Sequence, residues 1–283
     1  MADVTAWAGA GPGLPTRQPQ QLLLSFFGAI VLDREVPPIG SGVFLRVLGD
    51  LGVAEAAARA TLARMVRRGL LHRHRAGRTA RYSLTESGAT TMRRARERVD
   101  SPDPFGHADR GWTMLSYSIP ESRRALRHQT RARLAWAGFG PLRDGVWLAP
   151  GRVDVQALFA DGMPGEIGDL VDAFHAVPAE GTDMTRLVRR TWDVAAIRAE
   201  HDRFLRTWER SPTPGAGALP ALTLLLADWL QLLRVDPGLP AEHLPPGWPA
   251  SRSARVCAER RAALEAPAAG QLRALLAADS RRR

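Results

Sequence analysis

The sequence predicts a mainly α fold with α+β parts, and three observations carry that expectation. Three helical periods run into an arginine-rich alternating stretch, the element order of a winged helix-turn-helix over 20–100. Strand and helix patterns then alternate over 110–180, as in a ferredoxin-like (split βαβ) domain. From 181 to 283 the periodicity is helical throughout. Residues 1–19, broken by Gly and Pro, read as a disordered tail.

The elements follow in order. Residues 21–34 form an apolar-rich helix ending at Asp33-Arg34. "REVPPIGSG" interrupts the chain, and Ser41 is placed to cap the next helix, 42–50. Gly52 ends that helix in a left-handed turn. A third helix, 54–68, puts Ala58, Leu62, Met65 and Val66 on one face. Arg64 lies opposite, with Arg67 and Arg68 on its flanks. Ala57, Ala60 and Ala63 leave that outer face low enough for a close approach of the backbone. Residues 70–75 alternate as a strand, "AGRT" turns at Gly77, and 81–85 returns with Tyr82 and Leu84 on one face. In the middle region "WTMLSYSI" (112–119) is a strand and 120–138 a helix opened by Pro120. "VWLAP" (146–150), the short helix "DVQALFADG" and a strand at 170–179 complete the alternation. Helices are expected at about 182–210, 218–234 and 251–278, with Trp192, Trp208, Trp229 and Trp248 anchoring their packing.

Charge narrows the function. All 39 basic residues are Arg and the net charge is +10. Twelve arginines against Glu86 and Glu97 fall between 59 and 98, so the rest of the chain sums to about zero. A local excess of that size points to a polyanionic partner. In a winged helix, helix 54–68 enters the major groove and the hairpin reaches phosphates or the minor groove. Candidate DNA contacts are therefore Arg59, Arg64, Arg67 and Arg68 on the helix, and Arg73, Arg75, Arg78 and Arg81 on the wing. The guanidinium fork suits a phosphate or the O6/N7 edge of guanine equally well. One such helix discriminates weakly, so a homodimer reading an inverted repeat in double-stranded DNA is expected.

Other classes find less support. The lone Cys257 excludes an internal disulfide and fits a reducing cytoplasm. "LLLSFFGAIVL" (22–32) is half the length a bilayer needs, and Asp228 interrupts "LPALTLLLADWLQLL"; no membrane span is expected. The chain has no P-loop, Gly-x-Ser-x-Gly or dinucleotide fingerprint, so neither a cofactor nor catalysis is implied. A metal nuclease on the middle domain would need an acid at the end of its first strand, where Ser116, Tyr117 and Ser118 stand; Glu121 falls after Pro120. The "EHD" stretch (200–202) sits on a helix whose neighbours diverge, and His72 and His74 alternate with arginines, so no metal site is expected. An RNA-binding or nucleic-acid-processing protein built on the middle domain is the alternative.

Three separated motifs resemble the PaaX-type transcriptional repressors, which control phenylacetate catabolism and related operons. They are "LLLSFFG" with "LGDLGVAEAAARATLARMVRRGLLHRHRAGRTARYSLTESG", then "RGWTMLSYSIPESRR…RARLAWAGFGPLRDGVWLAPG", then "LLLADWLQLLRVDPGLPAEHLPPGWPASRSAR". The resemblance implies a DNA-binding N-terminal domain, a ferredoxin-like middle, a helical C-terminal domain and a dimer. It also implies release from DNA by an aryl- or acyl-CoA effector such as phenylacetyl-CoA. For that ligand the chain offers Arg123, Arg124, Arg127 and Arg131 toward phosphates, and Trp136 and Trp229 toward the acyl end. Trp229-Leu230-Gln231 replaces the basic or aromatic-basic pair usual in the family, which implies a changed ligand surface there.

Overall fold

An apolar run with Pro in its first turn begins the fold. α1 (Pro19–Phe26) passes directly into a π-helical turn, Phe27–Val31. The computed structural model describes residues 18–76, 79–106, 111–160, 168, 170–210 and 217–281. The helix stops short of the expected residue 34, because Asp33 takes a positive φ of 56° and turns the chain away. Ile39–Gly40 then forms a short strand, β1, and α2 spans Ser41–Gly49. Gly40, not Ser41, is its N-cap residue, and no side chain caps it.

α3 (Glu55–Arg67) buries Ala58, Thr61, Leu62 and Met65. β2 (Leu71–Ala76) and β3 (Thr79–Leu84) pair antiparallel from Leu71–Leu84 to Ala76–Thr79, and β1 adds to the other side of β3. The expected turn at Gly77 lies outside the described residues. A helix that the periodicity did not reveal follows, α4 (Glu86–Val99). Thr85 starts it: its hydroxyl accepts from the Gly88 amide at 2.9 Å and donates to the Gly69 carbonyl at 2.5 Å. One threonine thus ties the end of α3 to the start of α4.

The middle region runs β4 (Trp112–Tyr117), a 3₁₀ turn (Glu121–Arg123), α5 (Arg124–Trp136), β5 (Gly140–Arg143), β6 (Val146–Pro150), α6 (Val155–Ala160) and β7 (Val171–Ala176). Its sheet order is β5-β6-β4-β7, every pair antiparallel. The first and third strands are therefore central and the second and fourth are edges, the split βαβ arrangement. β5, too short to show a period, exists because Gly145 (φ 72°) allows a tight return into β6. Alternation divides the sheet. Leu115, Trp147 and Ala149 face α5, whereas Trp112 and Leu148 face the C-terminal helices through Val188, Ile197 and Leu239.

The expected helix at 182–210 is two, α7 (Met184–Thr191) and α8 (Val194–Trp208). Asp193 breaks it by capping a new start, its carboxylate accepting from the Ala196 amide at 2.9 Å. α9 (Ala218–Val235) and α10 (Ala250–Ser280) follow. α9 is the described helix long and apolar enough to cross a membrane, yet 78% of that stretch is buried within the fold. α1 and α4 cover it on one side, α8 and α10 on another. One continuous apolar core consequently runs from Leu22 on α1 to Leu272 on α10, taking in α2, α3 and the hairpin.

Gly88 tests this packing. In an ordinary helix, Gly→Ala stabilises by about 1 kcal/mol. Here a Cβ would stand 2.2 Å from the Leu70 carbonyl oxygen, against backbone that cannot rotate aside. Gly88→Ala is therefore expected to destabilise by roughly 1–3 kcal/mol, measured as a lowered midpoint in urea.

Candidate nucleic-acid interface

The inward side chains of α3 leave an outward face of short residues and guanidinium groups. Ala57, Ala60 and Ala63 are exposed, and so are Arg59, Arg64, Arg67 and Arg68. Arg59 pairs with Glu55 one turn back at 2.7 Å, an exposed pair that contributes little and is easily exchanged for another anion. One terminal guanidinium nitrogen of Arg64 donates to the Thr61 hydroxyl at 2.9 Å, which ties the end of its side chain back to α3. Exposed Arg46, in the last turn of α2, was not singled out in the sequence.

On the hairpin, β2 is an edge strand and carries Arg73 and Arg75, both exposed. Their cross-strand partners are Tyr82 and Ala80. His72 and His74 occupy the opposite face with ring centroids 6.2 Å apart, and His74 Nε2 lies 2.8 Å from the Ser83 hydroxyl. Arg78 lies outside the described residues. Arg81 departs from expectation. Its side chain is only 8% exposed and is held at 2.6 Å by Asp279, near the end of α10, and at 2.9 Å by the Pro38 carbonyl. Gly40 makes room for this clasp: a Cβ there would come within 2.5 Å of the Asp279 carboxylate. Arg81 is a structural residue, because a buried guanidinium already paired is not available to a phosphate.

Acids distant in sequence also occupy part of the expected charge excess. Asp33 accepts from Arg93 at 3.1 Å and from Arg96 at 3.3 Å, fixing α4 against the turn after α1. The bonds to Glu86 and Asp33 hold Arg93 above its ordinary pKa. Arg98 is inward, donating to the Trp136 carbonyl at 3.5 Å. Burial lowers its pKa, opposed by the charge of Asp236. The arginines of α3 and β2 thus stay exposed, while Arg93, Arg96 and Arg98 of the same basic stretch are engaged within the fold.

The six residues offered for an acyl-CoA effector are not brought together. Arg123 and Arg124 open α5, whereas Trp136 closes it, about 18 Å along the helix. Arg127 is bonded to Glu121 at 2.6 Å and to the Ile119 carbonyl at 2.8 Å. Arg131 lies over the Trp147 ring at 5.8 Å. Trp136 carries the Arg234 guanidinium at 5.0 Å, and burial beside Arg98 brings Arg234 down to about 10, still a cation at neutral pH. Trp229 is 2% exposed and packs on Phe105 and Phe204 in the main core.

The "EHD" stretch resolves differently from a metal site. Glu200 pairs with Arg203 nearby, while His201 is fully buried. Its Nε2 lies 2.8 Å from Asp236 and its Nδ1 2.9 Å from the Ser253 hydroxyl. Asp236 also accepts from the Gly238 amide at 2.8 Å. The order Ser–His–Asp matches that of a nucleophile, base and orienting acid, but all three are sealed from any substrate, so their role is to join α8, α10 and the segment after α9. Trp208 and Trp229 are buried as expected, while Trp192 and Trp248 are only half-buried.

Comparison with known proteins finds three family descriptions in succession. "PaaX-like protein" matches residues 18–88, "PaaX protein central Cas2-like domain" 106–188, and "PaaX-like protein C-terminal domain" 192–274. The chain is 26% identical over 230 residues to the transcriptional repressor PaaX of Escherichia coli (strain K12), covering 76% of this chain and 71% of that protein. Among solved structures, the uncharacterised protein Rv0674 from Mycobacterium tuberculosis shares the fold with a TM-score of 0.54. It is 24% identical and covers 89% of this chain, which covers all of it.

The division between structural and exposed arginines has a measurable consequence. Removing Arg81 strands Asp279, so Arg81→Ala is expected to cost on the order of 3 kcal/mol of stability. Arg73→Ala and Arg75→Ala should leave the thermal midpoint within error. Thermal melts of the three variants, run side by side, check the assignment.

Proposed function

The chain belongs to the PaaX-like family of transcriptional repressors, and on that premise we propose that it is a sequence-specific repressor that binds double-stranded DNA. The observation that carries the reading is the exposed guanidinium face of α3, continued by Arg73 and Arg75 on β2 and seated on a rigid core. The element order α1, β1, α2, α3, β2, β3 is that of a winged helix-turn-helix. In this reading α3 lies in the major groove, where its alanines let the helix sit deep. Arg64, Arg67 and Arg68 reach base edges or adjacent phosphates, and Arg59 exchanges Glu55 for a phosphate. Arg46, Arg73, Arg75 and Arg78 hold the backbone.

A twofold homodimer would present two such helices to an inverted repeat, with half-sites about one helical turn, or a multiple of it, apart. Regulation calls for a ligand with different affinity for the DNA-competent and DNA-incompetent states. The family premise makes an aryl- or acyl-CoA that ligand. A cytoplasmic location follows from the same role.

Two measurements test the reading. Arg75→Ala is expected to weaken binding to all duplexes and to reduce the salt slope by about one phosphate's worth, whereas Arg64→Ala costs about 1–3 kcal/mol and relaxes preference at one base pair. Unchanged operator affinity in both variants at moderate salt would exclude the α3–β2 interface, and stronger binding to single-stranded RNA would favour an RNA-binding role. In the second measurement, phenylacetyl-CoA, phenylacetate and CoA are titrated separately into the operator complex. Phenylacetyl-CoA alone is expected to dissociate it, and dissociation by none of the three would remove the effector half of the proposal.

A further inference from the structure

The break between α7 and α8 does more than turn the chain. It gathers three arginines and two indoles around a groove of about 610 Å3, remote in sequence from the DNA-contact residues. Arg189 and Arg190 come from the last turn of α7, and Arg198 from the second turn of α8. Trp192 stands at the break, and Trp248 comes from the segment before α10. Among the described residues none of the three arginines makes an ion pair, and the only acid lining the groove is Asp193. That carboxylate is engaged in capping α8 through the Ala196 amide.

Electrostatics makes this arrangement unfavourable when empty. Arg189 and Arg190 end α7 and Arg198 stands one turn into α8, so three like charges line one groove without a paired acid. The groove thus carries a net charge of +2. A dianion offsets all of these at once. Arginine forks match phosphate oxygens with paired hydrogen bonds, which a single carboxylate would not saturate.

The indoles add a second preference. Trp192 is half-buried and tilted against Trp112, their centroids 6.0 Å apart. Gly140 makes its seat: a Cβ there would lie 2.7 Å from the Trp192 ring. Trp248 is also half-buried and braced edgewise on His201 at 5.9 Å. Both rings are therefore fixed by packing while part of their surface lines the groove. A flat ring laid on such an indole loses little entropy beyond its own. The volume lies within the range of small-molecule sites.

We infer that this groove binds a small phosphorylated ligand bearing a planar ring, of the nucleoside diphosphate class. The phosphates meet Arg189, Arg190 and Arg198, and the ring lies against Trp192 or Trp248. The inference is independent of the α3–β2 interface, because no residue is shared between the two.

Isothermal titration of the full-length protein with ADP, pyrophosphate and adenosine tests it. ADP should bind more tightly than either part. The double variants R189E/R198E and, more conservatively, R189Q/R198Q should weaken ADP by at least ~10-fold, while R186E, on the same helix but outside the groove, should not. Thermal midpoints of the variants confirm that they fold, and operator affinity without ligand reads the DNA interface separately. Equal ADP affinity in R189E/R198E and wild type overturns the site, as does the absence of ADP binding at millimolar concentration. Loss of operator affinity in R189E/R198E without ADP binding also overturns it, assigning the groove to nucleic acid.

Discussion

A helix that is apolar on every side cannot be stable until every side is covered, and α9 imposes that requirement on the whole chain. Leu219, Leu222, Leu225, Leu226, Trp229 and Leu232 make up one side, Thr223, Leu224 and Ala227 lie on the other, and all are buried. Neighbours in the C-terminal half, α8 and α10, cover only part of it. The remaining surface is covered by α1 and α4, from the other end of the sequence. Hydrophobic burial is non-directional and scales with area, so a core assembled this way has no internal boundary at which the N-terminal elements could detach without exposing α9. The hairpin and α3 are the outer layer of that core.

Because apolar contact does not specify geometry by itself, the polar groups inside the core matter out of proportion to their number. Asp228 on α9 accepts the Trp208 indole N–H at 3.0 Å and lies 3.9 Å from Arg203, which sets the rotation of α8 against α9. Asp236 holds His201, and His201 holds Ser253, so the segment after α9 is fixed relative to α8 and α10. A slip of one residue in either helix would strand buried charge and polar atoms at several kcal/mol each. Burial of Cys257 in the same core pushes its thiol up to about 12, leaving it a packing residue at physiological pH.

Much of this was legible in the sequence wherever the period was long or the turn chemistry local. The inward face of α3, the pairing of β2 with β3, the strand at 146–150 and the limits of α9 all follow from patterns contained in one segment. What escaped notice was set by single residues acting across segments. α4 depends on Thr85 bonding both Gly88 and Gly69, and its arginine-rich composition hides its narrow apolar stripe of Ala89 and Met92. The split at Asp193 is one carboxylate overriding an otherwise continuous helical period. Arg81 reads as a surface cation in the sequence because its acid, Asp279, lies 198 residues away. The effector candidates share residue types, and composition says nothing about whether two ends of one helix can meet a common ligand.

Arginine is the chain's only strong base, so its positions separate by which acids the fold brings within reach. Arg93 and Arg96 on α4 are taken up by Asp33 and Asp100, Arg81 by Asp279, and Arg252 by Glu209. Those on the outer face of α3 and on β2 have no comparable acid among the described residues beyond the local Glu55. The field of that surface is therefore a product of tertiary structure rather than of the local count of charges. The same connections determine how a change elsewhere could reach it. A shift of α10 acts on the hairpin through Asp279 and Arg81, next to the exposed Arg73 and Arg75. A shift of α9 acts on α3 through α1, against which both pack. Of these two routes the first centres on one charge-assisted contact, 8% exposed on its arginine side, beside the packing of α10 on β1 and α2, whereas the second is spread over apolar area. The ion pair is thus the connection that one substitution can sever while leaving the core in place.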